Sequence, residues 1–120
     1  MKNKIVTIGA VFGFLGVALG AFGAHLLKNT LTPELMESYK TGIQYQLIHA
    51  VVLISIGFSG LQKYYKAAFF FIAGIILFSF SLYVYTIFNL KIAAMFAPFG
   101  GASLMIGWII LIIYSMKKDN

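Results

Sequence analysis

Lysines divide the chain into apolar runs. Residues 5–27, 42–61, 67–90 and 97–116 contain no Asp, Glu, Lys or Arg. Each run is long enough to cross a hydrocarbon layer about 30 Å thick, which takes roughly 20 helical residues. Continuous runs of this kind lack the two-residue alternation of a barrel strand, and in lipid only helices and closed barrels satisfy every backbone group. The pattern therefore predicts an all-α integral membrane four-helix bundle, one domain over residues 1–120.

The connections are short except for residues 28–41. There Thr32, Pro33 and Glu34 form an N-cap, a first-turn proline and an acid at the positive end of a helix. Leu35, Met36 and Tyr39 share one side of that helix, opposite Glu34 and Lys40. This predicts a short surface helix between spans one and two, with a plain N-terminal extension of span two as the alternative. The first run begins after Met1-Lys-Asn-Lys and ends near Ala21-Phe-Gly-Ala, which is like a signal peptide. Its apolar stretch is longer than such signals carry, so it is expected to be an uncleaved span.

Composition agrees with the pattern: 61% of the 120 residues are hydrophobic and only 10% charged. An ordinary soluble domain is about 25% charged, so too little polar surface exists here to clothe one. Cysteine is absent, which removes a disulfide framework and a thiolate metal site. The net charge of +6 comes from nine lysines and no arginine. Without guanidinium forks, and with the lysines beside apolar runs, no nucleic-acid partner is expected. Lys2, Lys4, Lys63, Lys66, Lys117 and Lys118 fall at one end of the predicted bundle, and Lys28, Lys40 and Lys91 at the other. The positive-inside bias then places both termini in the cytoplasm of a cell (inner) membrane protein. Tyr64, Tyr65 and Tyr114 are expected at the inner interface and Tyr39 at the outer one.

Two further patterns bear on packing and chemistry. Gly9, Gly13, Gly16, Gly20 and Gly23 recur at alternating steps of four and three, which places them on one face of span one. Small-residue faces let membrane helices approach closely, so this face must meet another helix, either in the same chain or in a homo-oligomer. Polar side chains gather in the predicted outer half: His25; Gln44, Tyr45, Gln46 and His49; Ser79, Ser81, Tyr83, Tyr85, Thr86 and Asn89; and Ser103. Trp108 falls in the inner half. Polar groups in hydrocarbon must pair or line a wet cavity.

Gly42, Tyr45, Gln46 and His49 lie on one face, and His49 is the deepest imidazole. It either bonds to neighbouring helices and fixes packing, or handles a ligand or proton. On an unbroken helix His25 points about 160° away from the centre of the glycine face. Either the helix loosens near Gly23 and turns His25 inward, or His25 lies at headgroup level.

Two histidines without cysteine or an intramembrane carboxylate make no metal site, and no cofactor is expected. No nucleophile elbow, P-loop or dinucleotide fingerprint occurs, so the chain is not expected to be an enzyme. Membrane lipids are the expected partners. The residues give a ligand site of His49, His25, Tyr45, Gln46, Ser81 and Tyr85, binding a lipid headgroup or small amphiphile. A small transporter or channel subunit and a purely structural protein are the alternatives.

The segments Ala18-Leu-Gly-Ala-Phe-Gly-Ala-His25-Leu-Leu, Thr41-Gly-Ile-Gln-Tyr-Gln-Leu-Ile-His49, Leu77-Phe-Ser-Phe-Ser-Leu-Tyr83 and Ala97-Pro-Phe-Gly-Gly101, with Gly107-Trp108, occur in order along the chain. Together they resemble the YgdD/YwdK family of small bacterial inner-membrane proteins, whose function is unknown. The resemblance implies a four-span cell-membrane protein, with motif positions on Gly20, Gly23, His25, Tyr45, Gln46, His49, Ser79, Ser81, Tyr83, Pro98, Gly100 and Gly101. Phe80 departs from the family pattern, which usually has Gly there, and Ala97 stands where Thr often precedes the Pro.

Overall fold

A computed structural model describes residues 1–118. Four helices are long and apolar enough to cross a membrane: α1 (Lys2–Leu27), α2 (Pro33–Ser59), α3 (Gln62–Phe88) and α4 (Lys91–Ser115). They form a flattened bundle with Cα extents of 51 × 25 × 17 Å. Consecutive helices pack as pairs, α1 on α2, α2 on α3 and α3 on α4. Buried residues are accordingly concentrated in α2 and α3, at 44% of the most apolar stretch of each against 22% in α1 and α4. Phe14, Phe22, Phe58, Phe69, Phe99 and Ile112 are each more than 60% exposed. Side chains of that size spread over the whole perimeter would aggregate in water and are at home in lipid.

α2 starts as its sequence dictates: Thr32 Oγ1 accepts from the Leu35 amide at 3.2 Å, and Pro33 opens the first turn. It then runs unbroken to Ser59. The surface helix expected between the first two spans is therefore the N-terminal extension of α2. Nothing in residues 33–41 interrupts the backbone ladder, and Tyr39 is drawn into the bundle. Tyr39, expected at the outer interface, is completely buried and donates to the Leu19 carbonyl at 2.6 Å. At its other end α2 stops at Gly60, whose φ of +68° is the left-handed value glycine adopts without strain.

The glycines of α1 all face α2. A Cβ at Gly9 would stand 2.9 Å from Ile54 Cγ1, one at Gly16 2.6 Å from Leu47 Cδ2, and one at Gly20 3.1 Å from Ile43 Cγ2. Gly23 meets the Tyr39 hydroxyl, and Gly13 faces Ala50 at an ordinary 4.0 Å. Gly74 and Gly100 do the same for α3 and α4, with Gly100 lying against the backbone of Leu77 and Phe78. The main core joins all four helices through Ile5, Phe12, Leu53, Phe71, Ile75 and Leu104. A smaller cluster of Leu31, Tyr39, Ile43 and Tyr83 closes the end away from the termini. The termini share the other end: Lys2 lies beside Gly60, and the Lys63 ammonium donates to the Lys117 carbonyl at 2.8 Å.

Two helices are not regular. α1 widens into a π turn at Leu19–Gly23 and α3 at Ile76–Phe80. The extra residue of a π turn sets back everything after it by about 100°. The helix of span one therefore loosens next to Gly23, and His25 moves from the far side of α1 to the edge of its contact with α2.

Candidate functional site

Apart from Ser103, whose Oγ donates to the Phe70 carbonyl at 2.8 Å, the polar side chains that link helices in the interior form two hydrogen-bonded groups. In the first, Gln46 is completely buried between three helices. Its Nε2 donates to the Phe12 carbonyl of α1 at 2.8 Å, and its Oε1 accepts from the Tyr83 hydroxyl of α3 at 2.6 Å. One turn away, Ser79 Oγ donates to the Gly42 carbonyl at 2.7 Å. Glutamine carries both a donor and an acceptor, so a single side chain ties the α1 backbone to an α3 phenol.

The second group is built on His49. Trp108 Nε1 donates to His49 Nε2 at 3.0 Å. An indole nitrogen can only donate, so Nε2 must offer its lone pair; the ring proton is on Nδ1, which donates to the Tyr45 carbonyl at 2.7 Å. The bonding thus defines a neutral imidazole with both nitrogens occupied. Its ring lies 5.4 Å from that of Phe71 and 5.8 Å from the indole. α2 and α4 do not pack side by side, and the His49–Trp108 bond spans the gap. His49 and Trp108, assigned by sequence to outer and inner halves, meet at one level. Counting from Pro33, His49 is about 24 Å along α2, deeper than a span beginning at Gly42 would place it.

Among the described residues, every fully buried side-chain nitrogen or oxygen has a hydrogen-bond partner. The expected ligand residues therefore separate. Gln46 and His49 are in the two interior groups. Tyr45 is 41% exposed and packs its ring on Phe78 at 4.7 Å. Ser81 lines a lateral groove between α3 and the start of α4, with Phe80, Val84, Leu90 and Phe96, and Tyr85 is half-buried. Neither Ser81 nor Tyr85 bonds to His49, whose nitrogens are taken.

His25 is elsewhere again. It is exposed and lines an open groove of about 480 Å³ between the last turns of α1 and the first turns of α2. Gly20 and Ala21 of the π turn, then Ala24, His25 and Lys28, form one wall; Leu31, Pro33, Met36 and Lys40 form the other. Its charged groups are the two ammonium ions, and no carboxylate lines it. Lys28 and Lys40 read as span boundaries in the sequence. Only the π turn and the unbroken run of α2 from its Thr32 cap bring them to one groove; the cap is a local signal, but the extra residue of the π turn is not. Among the described residues, no three His, Cys, Asp or Glu side chains converge on a common point.

Fold and perimeter define a four-span helical membrane protein. Comparison with known proteins identifies the kind. The family model described as "Protein of unknown function (DUF423)" matches residues 19–101. The chain is 35% identical to the UPF0382 membrane protein YwdK of Bacillus subtilis, covering 98% of each chain. It is 37% identical to a UPF0382 membrane protein of Haemophilus influenzae over 100% of this chain and 99% of the relative. Against the UPF0382 inner membrane protein YgdD of Escherichia coli the identity is 32%, over 98% and 93%. The chain belongs to this DUF423/UPF0382 family of multi-pass membrane proteins, as the sequence motifs imply. No solved structure matches it.

Proposed function

We propose that the chain is a non-enzymatic membrane module that binds the head of an amphiphile in the groove lined by His25, Lys28 and Lys40, and that His49 and Gln46 serve to hold the bundle together. The observation that carries this reading is a contrast in bonding. The interior polar groups already have protein partners, whereas the groove is lined by two lysines and a histidine together with apolar side chains. Its volume lies within the range of small-molecule sites. Under the positive-inside orientation the groove opens at the outer leaflet, the side on which the sequence gathers its polar residues.

The test is lipid retention by the purified protein, followed by native mass spectrometry. Replacing His25, Lys28 and Lys40 together by Gln should strip co-purified lipid while the protein stays folded. His49→Phe should leave retention unchanged. Retention lost in His49→Phe and kept in the groove variant would reverse the assignment.

A further inference from the structure

Resting on that reading of the groove, we infer that it takes a phosphate-bearing head, held between Lys28, which follows α1, and Lys40 of α2, and that Tyr39 is the residue that positions the two walls. The chemistry of the lining selects the ligand class. Lys28 and Lys40 line the groove from its two walls, no acid is among the lining residues, and Pro33 at the wall marks the N-terminal end of a 27-residue helix. That end adds the positive pole of the helix dipole, which Glu34 in the same turn partly offsets, so the two lysines carry most of the attraction. Leu31, Met36, Ala21 and Ala24 supply apolar surface below the rim, which suits the glycerol and first methylenes of a lipid better than a free anion.

The positioning follows from the π turn. Without it, the segment Ala24 to Lys28 would be rotated by about 100° and would carry His25 and Lys28 away from α2. One side chain engages the turn from across the interface. The Tyr39 hydroxyl, fully buried, donates to the Leu19 carbonyl at the first residue of the turn and packs against Gly23 at the last. Tyr39 is also the neighbour in sequence of Lys40, so one residue registers both walls. It does not line the groove.

The head-group test uses the full chain in nanodiscs, comparing phosphatidylglycerol with phosphatidylcholine, and adds inorganic phosphate as competitor. Expected are a preference for phosphatidylglycerol, a fall of about fivefold in that preference for each of Lys28→Gln and Lys40→Gln, and no displacement by millimolar phosphate. Equal retention of the two lipids would overturn the phosphate head while leaving amphiphile binding intact. Displacement by free phosphate would overturn the lipid as its source. For the positioning role, nitroxides are attached to cysteines at residues 28 and 40 of the naturally cysteine-free chain, and their separation is read by pulsed electron resonance.

Tyr39→Phe should change that separation and lower the lipid preference two- to tenfold, the range one net hydrogen bond spans. Gly23→Ala, which pushes a methyl at the Tyr39 hydroxyl, should change the separation as well, and adding Tyr39→Phe to it should cost less than in the wild type. An unchanged separation in both single variants would refute the positioning role whatever the lipid result.

Discussion

The chain's two histidines mark two regions built on different rules. Around His49 each polar atom has a partner inside the protein: Trp108 on one ring nitrogen, the Tyr45 carbonyl on the other, and Gln46 nearby tied to Phe12 and Tyr83. Around His25 the side chains line an open groove whose charged lining residues, Lys28 and Lys40, have the same sign. The difference teaches that an ionisable residue deep in a membrane is not by itself a sign of ligand chemistry. Hydrocarbon forces polar groups to pair, and pairing that is complete within the protein leaves nothing to offer. The groove at the end of the bundle, where water or headgroups can solvate a lysine, is where unspent polar capacity is affordable.

The π turns repeat the contrast. Ile76–Phe80 is tied into the bundle on its inner side, with Ser79 buried and bonded to Gly42 and with Gly100 pressed on the backbone of Phe78. Leu19–Gly23 has no buried residue and is engaged from the α2 side, through Tyr39. The turn of α3 is a packing joint. The open one shapes the groove wall.

Substitutions should separate the two regions, beginning with the largest loss. Gly100→Ala drives a methyl into backbone atoms of α3 that cannot yield, and should cost about 3 kcal/mol or prevent folding. Gly101→Ala, whose methyl would meet Phe78 Cδ1 at 4.0 Å, should stay near wild type. Thermal unfolding in detergent checks both. Gln46→Leu leaves the Tyr83 hydroxyl and the Phe12 carbonyl without their partner in a dry site, and should cost about 2 kcal/mol in the same assay. Leucine at the neighbouring, exposed Gln44 should cost nothing.

A smaller effect is expected at His49. His49→Phe keeps the ring but gives up the bond from the indole, and should cost about 1 kcal/mol. Trp108 is the only tryptophan in the chain, so its emission reports directly on that bond and should shift in His49→Phe and not in His25→Phe. A small stability change is also expected for Lys28→Gln with Lys40→Gln. Both side chains are exposed, and unfolding should move by no more than about 0.5 kcal/mol.

Much of the bundle was legible in the apolar runs, and the facing of α1 on α2 was legible in the Gly9-to-Gly23 spacing, because both are periodic properties of one helix. The start of α2 at Thr32-Pro33-Glu34 was legible for the same reason, since a cap is a local feature. What the sequence could not convey is how one helix stands against another. The pairing of Trp108 with His49 depends on how far α4 slides along the bundle, and no residue on either helix records that. The π turn at Leu19–Gly23 has no composition of its own. It put His25, Lys28 and Lys40 in one groove, although they are 3 and 12 residues apart in the chain. The clustering of polar residues in one half was legible, but whether they pair with one another or await a ligand is decided by distances of a few tenths of an ångström.

The most direct test of the account is lipid retention measured side by side for three proteins in phosphatidylglycerol nanodiscs: wild type, His49→Phe, and Lys28→Gln with Lys40→Gln. The account predicts that wild type and His49→Phe hold lipid equally and that the lysine variant, although equally stable, loses it. Lipid lost in His49→Phe and retained in the lysine variant would contradict it.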